Sequence, residues 1–193
     1  MDNIVNVIDI EATCWEDSRQ QPKGEVSEII EIGIVPIELG ALRVVHPSRS
    51  ILVRPIASRV SEFCTRLTGH TQAELVEKGM TFSDALNVLR EDYAASDRTW
   101  VSWGAYDKNM FAKQCARLGY EYPFPAYESG HVNIKERFAK IMGAKPCGMD
   151  TALNILKMPL LGRHHNGADD AYNIAQITLE LIRRTRAMNN GWQ

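Results

Sequence analysis

No Cys-x-x-Cys pair occurs among the four cysteines of this chain, Cys14, Cys64, Cys115 and Cys147, and their spacings are wide and irregular. That argues against a disulfide framework or a zinc ribbon and points to a reducing, cytoplasmic compartment. No stretch approaches the roughly 18 consecutive apolar residues that a membrane helix needs. The opening MDNIVNVID has neither a basic n-region nor a long apolar run, so no secretory signal is expected. Internal repeats and low-complexity tracts are also missing. The 193 residues are 45% hydrophobic and 24% charged, an ordinary globular composition, and one domain over 1–193 is expected.

Positive charge is scarce overall. The net charge is −2, which argues against a protein that coats nucleic acid electrostatically. The distribution is uneven, however. Residues 1–62 carry 6 Lys/Arg against 10 Asp/Glu, whereas residues 131–165 carry 6 Lys/Arg against 2 Asp/Glu. The basic segment reads either as a solvated helix face or as a lip that contacts phosphates.

Periodicity and punctuation give the elements. Residues 4–12 and 26–38 read as strands, and a third β-rich run over 42–53 is broken at His46-Pro47. Gly40 suggests a hairpin between the second and third. Short helices are expected over 61–67 and after Thr71, and a Thr81/Asp84 capping box opens one over 82–95. A strand at 99–103 precedes a helix at 107–118 with Gly119 as its C-cap. Helices follow at 134–142, 149–156 and 168–187, the last with Arg183, Arg184 and Arg186 in its final turn, where cations suit the helix dipole. The order predicts a mixed α/β sheet with packed helices.

Within VIDIEATCW, Asp9 and Glu11 interrupt an apolar strand two residues apart, so they project from the same side. Two carboxylates held that close repel, and a hard divalent cation between them removes the conflict. A half-exposed edge strand with its charges outward would carry the same pair. Two further groups stand out. Asp107 follows a strand in WGAYDKNMF and doubles as a helix N-cap candidate. In GRHHNGADDAYNIA, a histidine-rich loop leads into a helix whose first turn holds Asp169 and Asp170.

Together, the D-x-E on the first strand, the Asp after SWG-x-Y and the H-x4-D on the last helix resemble the DEDDh 3′–5′ exonucleases of the DnaQ-like superfamily. His165 with Asp170 and His164 with Asp169 both satisfy the last spacing, and HNGADDAYNIA favours His165. That wording, with IDIEATCW, EIIEIG, FCTRLTGHTQ and Asn133-Ile134, is most similar to the Eri-type exoribonucleases and their bacterial KapD-like relatives. The matches run in order from residue 5 to about 182. One departure is His70, where that branch usually has Ile.

The resemblance implies an RNase H-like fold, a mixed five-stranded sheet whose first three strands are antiparallel and the rest parallel, flanked by helices. It implies two divalent cations, Mg²⁺ or Mn²⁺. Asp9 would bridge both, Glu11 and Asp170 would complete the first ion's shell, and Asp107 would serve the second. His165 would be the general base for the attacking water, a role that suits its unperturbed pKa of about 6.5. The backbone at Ala12 and Thr13 would approach the substrate's 3′ hydroxyl, while Leu67 and Trp103, beside Gly104, would press on the base. Trp15 would stack on a base or cover an apolar edge. The implied partner is the 3′ end of single-stranded RNA in preference to DNA, with no membrane. Two other readings stand beside this one: a DNA exonuclease of proofreading or repair type, and a retired nuclease that only binds or regulates.

Overall fold

A computed structural model describes residues 3–126 and 130–190. The β-branched run Ile4–Ala12 forms β1, stiff at χ1 and suited to a pleated surface. It lies in the middle of the sheet. On one side it pairs antiparallel with β2 (Ile29–Glu38), and on the other it pairs parallel with β5 (Trp100–Ser102). Two short strands, β3 (Arg43–Val44) and β4 (Arg49–Leu52), both pair antiparallel with β2 and together make one interrupted edge. The interruption falls at His46-Pro47, where Pro47 has no N–H to give the ladder. The expected hairpin across Gly40 is present. The other edge is β6 (His131–Asn133), parallel to β5. The fold is therefore the expected RNase H-like mixed sheet, its third strand split in two.

Seven helices cover the sheet among the described residues: α1 (Glu62–Thr68), α2 (Gln72–Lys78), α3 (Phe82–Tyr93), α4 (Tyr106–Leu118), α5 (Ile134–Met142), α6 (Met149–Leu156) and α7 (Gly167–Asn190). Ser61, Thr71 and Thr81 cap the first three with side-chain oxygens on backbone N–H groups. The strand alternation divides the core. Ile8, Ile10, Ile32 and Ile34 meet α3 and α4 on one face. Val5, Val7, Val35 and Ile37 meet α5, α6 and α7 on the other. Asp9 and Glu11 continue the Val5–Val7 row, so they point to the α7 face. None of these helices is long and apolar enough to cross a membrane.

The structure corrects three expectations. Asp107 is not an N-cap: Ala105 holds that position and Asp107 lies inside α4. β6 had no periodic signal, because its three residues are short and half polar. And α7 runs on to Asn190, so Arg183, Arg184 and Arg186 do not occupy its last turn. Arg186 instead donates to the carbonyls of Leu39 (2.8 Å) and Gly40 (3.3 Å), and Arg183 donates to that of Leu42 (3.1 Å), which pins the β2–β3 turn. Arg184 pairs with Glu180 at 2.8 Å.

Asp9 is paired with Gly33 across the β1–β2 ladder, and this glycine lets the start of α7 approach the sheet. A Cβ on Gly33 would land on the carbonyl of Gly167. Gly33→Ala is therefore expected to push α7 off β2, at a cost of about 2–4 kcal/mol. Urea denaturation checks this; a loss under about 0.5 kcal/mol would contradict such close packing.

Candidate active site

A cleft of about 370 Å³ opens at the C-terminal end of β1. Asp9, Glu11, Asp107, His165 and Asp170 all line it, together with Ala12, Leu67 and Trp103. Thr13, Trp15 and Gly104 do not line it. Thr13 is fully buried; its N–H donates to Glu28 O (2.8 Å) and its hydroxyl accepts from Glu28 N (2.9 Å). Trp15 faces a neighbouring groove with Phe63 and Arg66. Gly104, at φ +111°, turns the chain behind Trp103. The Trp103 indole is fixed from behind, donating to Cys147 O at 3.0 Å.

Among the described residues, Asp9, Glu11 and Asp170 present carboxylate oxygens that all lie within 4.8 Å of one another. Asp107 stands beside this trio, and its Oδ1 accepts the backbone N–H of Ile10 at 3.0 Å. The electrostatic cost is visible in each group. Burial, then the charges of Asp107, Asp170 and Glu11, holds the Asp9 carboxyl well above its ordinary pKa. Burial, then Glu31 and Asp170, pushes Glu11 up to about 8. Burial raises Asp107 to about 6 and also raises Asp170. Clustered buried oxygens that resist ionisation in one another's company fit hard divalent cations, whose charge reverses that balance.

The first turn of α7 completes the site. His165 sits at φ +63°, and its N–H donates to Asp170 Oδ2 at 2.9 Å. Its ring stacks on that of His164, with centroids 4.0 Å apart, and His164 Nδ1 lies 2.9 Å from Asp170 Oδ2. Burial, with the neighbouring His164, lowers the pKa of His165, so the ring is a neutral proton acceptor at neutral pH. Asp169 turns away from the cleft and accepts the N–H of Arg163 at 2.8 Å. Of the two H-x4-D acids, Asp170 and not Asp169 lines the cleft, whereas His164 and His165 both line it.

Two residues that the sequence reading did not single out hold this turn in place. Glu31 is fully buried on β2, directly across from Glu11. Its carboxylate accepts the N–H groups of Gly167 (2.9 Å) and Ala168 (3.3 Å), satisfying two orphan donors of α7 from across the sheet. The same carboxylate lies 2.7 Å from Nε2 of buried His70. Its signal was an acid in the apolar run EIIEIG, the same oddity that marked Asp9. His70 was noticed only as a departure from the usual Ile. Arg163 makes a second link from this loop to α1, donating to the carbonyls of Arg66 (3.1 Å) and Leu67 (3.3 Å).

Fold and site together match the DEDDh class of 3′–5′ exonucleases. A family model described as Exonuclease (RNase_T) matches residues 6–178, and the chain belongs to that family. It is 27% identical to the 3′-5′ exonuclease Snipper of Drosophila melanogaster, over 93% of this chain and 69% of that protein. It is 30% identical to human ERI1 exoribonuclease 3, over 92% of this chain and 53% of that protein. The chain thus spans about half the length of most of the mammalian exoribonucleases it matches, and 28% of mouse ERI1 exoribonuclease 2. The nuclease domain of 3′hExo, a DEDDh family member bound to rAMP, superimposes with a TM-score of 0.80 at 27% identity, over 94% of this chain and 92% of that one.

Two measurements follow from the electrostatics. Carboxylates whose folded pKa is raised oppose folding once ionised; the penalty is absent below the unfolded value of about 4 and grows as pH rises through the folded values. The metal-free chain is expected to melt about 5 °C or more lower at about pH 8 than at about pH 5, with Mg²⁺ or Mn²⁺ restoring more at the higher pH. A melting temperature in EDTA that does not change with pH would contradict this.

The Glu31–His70 pair has the opposite sign. Burial works against the Glu31 charge, but hydrogen bonds from His70, Ser50 and the Gly167 N–H hold its pKa below the usual value. The Glu31 hydrogen bond raises that of His70. The pair's contribution is lost as pH falls through the Glu31 value and as it rises through the His70 value. His70→Leu is therefore expected to cost about 3 kcal/mol near pH 6 and less near pH 9 by urea denaturation. Equal losses at both pH values would be the contrary result.

Proposed function

We propose that this chain removes nucleotides one at a time from the 3′ end of single-stranded RNA and releases nucleoside 5′-monophosphates. The observation that carries the reading is the convergence of Asp9, Glu11 and Asp170, whose oxygens lie within 4.8 Å, beside a neutral His165 in one cleft. All five positions of the catalytic constellation hold the residue types that the chemistry needs, which disfavours a retired, binding-only protein. The relatives named as exoribonucleases and the rAMP-bound neighbour favour RNA over DNA.

The residues divide the work. Asp9, Glu11 and Asp170, with Asp107 beside them, would hold two divalent cations, Mg²⁺ or Mn²⁺. When bound, these supply charge neutralisation and in-line geometry at the phosphate. His165 accepts a proton from the attacking water as the new oxygen–phosphorus bond forms. The bond from phosphorus to the 3′ oxygen of the preceding nucleotide breaks, and that oxygen leaves with the shortened strand. Asp170 also fixes the His165 backbone through its hydrogen bond to the N–H. Leu67 and Trp103 flank the terminal base; stacking of this kind is worth about 1–3 kcal/mol and ignores base identity. The backbone of Ala12, which lines the cleft, would approach the 3′ hydroxyl. We take residues 1–193 as one exonuclease domain acting in the cytoplasm, a compartment that suits four free thiols.

The test is a 5′-labelled RNA and a DNA of the same sequence, incubated with Mg²⁺, Mn²⁺ or EDTA. A metal-dependent ladder that shortens from the 3′ end, faster on RNA, is expected. Asp9→Asn is expected to abolish it and His165→Ala to slow it by about 10²–10⁴-fold. A faster ladder on DNA would transfer the activity to the other substrate, and no cleavage of either strand would overturn the reading.

A further inference from the structure

The cleft has room for the terminal nucleotide, so the rest of the strand must leave it over some surface. Trp103 and Tyr106 line the cleft, and Ala105, between them in sequence, lines a second groove of about 450 Å³ on the β6 side of the sheet. The 103–106 turn is therefore the ridge between the two. The side chain of Lys135 lies over this ridge, its Cδ 4.0 Å from where a Cβ on Gly104 would be. Beyond the ridge, the groove is walled by Lys108 of α4 and by Arg137 and Lys140 of α5.

Several cations elsewhere on the chain are held by carboxylates. Arg19, Arg43, Arg49, Arg66, Arg117, Arg183 and Arg184 each have a carboxylate within 4.0 Å. Lys135, Arg137 and Lys140 have none among the described residues, and Arg137 and Lys140 are exposed, three apart on one helix face. Among the described residues, the one acid that lines the groove, Glu136, is turned back on the start of α5, where it accepts from Asn133 Nδ2 at 2.9 Å. Opposite Lys108, His131 is neutral: burial, then the Lys108 charge, lowers its pKa to about 4. Arg137 and Lys140 thus present unpaired positive charge in this groove, one ridge away from the acidic cleft.

We propose that this groove carries the sugar-phosphate backbone just upstream of the terminal nucleotide, with Arg137 and Lys140 each contacting a phosphate. The assignment rests on the exonuclease reading and adds to it the path of the strand. It also decides between the two sequence readings of the basic 131–165 segment in favour of the phosphate-contacting lip. A positively charged groove that tracks the backbone is the general solution for single strands bound without sequence preference.

The test uses the full chain carrying Asp9→Asn, which binds without cutting, and 5′-fluorescein oligoadenylates of about two and about eight nucleotides, read by anisotropy over a salt series. The double variant Arg137→Ala/Lys140→Ala is expected to bind the long RNA about tenfold more weakly, with the dinucleotide weakened far less. Its log–log salt slope on the long RNA is expected to fall by about 1.4, or about 0.7 for each phosphate that no longer meets a cation. Arg43→Ala/Arg49→Ala removes the same charge from the opposite edge of the sheet and is expected to change neither quantity. Equal effects of the two double variants, or a salt slope unchanged by the groove variant, would overturn the proposal and leave the patch to some other anion. The binding readout does not depend on turnover. If the chain with Asp9 intact cuts nothing yet the groove variant loses length-dependent binding, the catalytic reading fails and the groove assignment stands.

Discussion

The hydrogen bonds from Gly167 and Ala168 to the Glu31 carboxylate join the two halves of the active site. One half is β1 with Asp9 and Glu11, and the other is the start of α7 with His165 and Asp170. These segments are more than 150 residues apart in the chain. β2 touches both, through its ladder to β1 and through Glu31 and Gly33 on α7. The Glu31 carboxylate works here because a helix N-terminus offers unsatisfied N–H groups and a partial positive charge. His70 Nε2, 2.7 Å away, is the further partner of this carboxylate, so one buried acid in this cluster is met by fixed groups of the protein itself.

The other acids are not neutralised by the protein. Asp9, Glu11, Asp107 and Asp170 all sit above their ordinary pKa, whereas Glu31 sits below. That contrast sorts five nearby carboxylates into one structural group and four functional ones more sharply than burial does, since Glu11, Glu31, Asp107 and Asp170 are all buried. A group satisfied by fixed donors is part of the scaffold. Groups left without fixed donors carry a cost on ionisation that a proton or a cation relieves, and such groups are candidates for a functional site.

The sequence showed the candidate ligating residues for the same reason. Asp9 and Glu11 are conspicuous because Val7, Ile8 and Ile10 surround them, and local periodicity is what a sequence displays best. Helices with hydroxyl caps, such as those begun by Thr71 and Thr81, were equally legible. The reading lost force where the deciding contact is long-range. Whether Asp107 caps its own helix or holds the Ile10 N–H depends on β1, 97 positions away. The arginines near the end of α7 look like dipole partners until the β2–β3 turn is placed beneath them. β6 exists only because β5 offers it a ladder. Thr13 and Trp15, expected at the substrate on resemblance alone, turn to Glu28 and to the neighbouring groove.

The uneven charge of the chain acquires a physical sense from this arrangement. A catalytic pocket for phosphodiester hydrolysis must concentrate acids to hold cations, and those acids repel the very strand being cut. A uniformly basic surface would overcome the repulsion but would also hold the product and slow its release. Placing a few unpaired cations on α5, one short ridge away from the acids, separates the two tasks in space. On the proposed path the strand would be held by its upstream phosphates while its last nucleotide enters the acidic cleft. A net charge of −2 is then compatible with a polyanionic substrate, because attraction is needed only along the path that the strand takes.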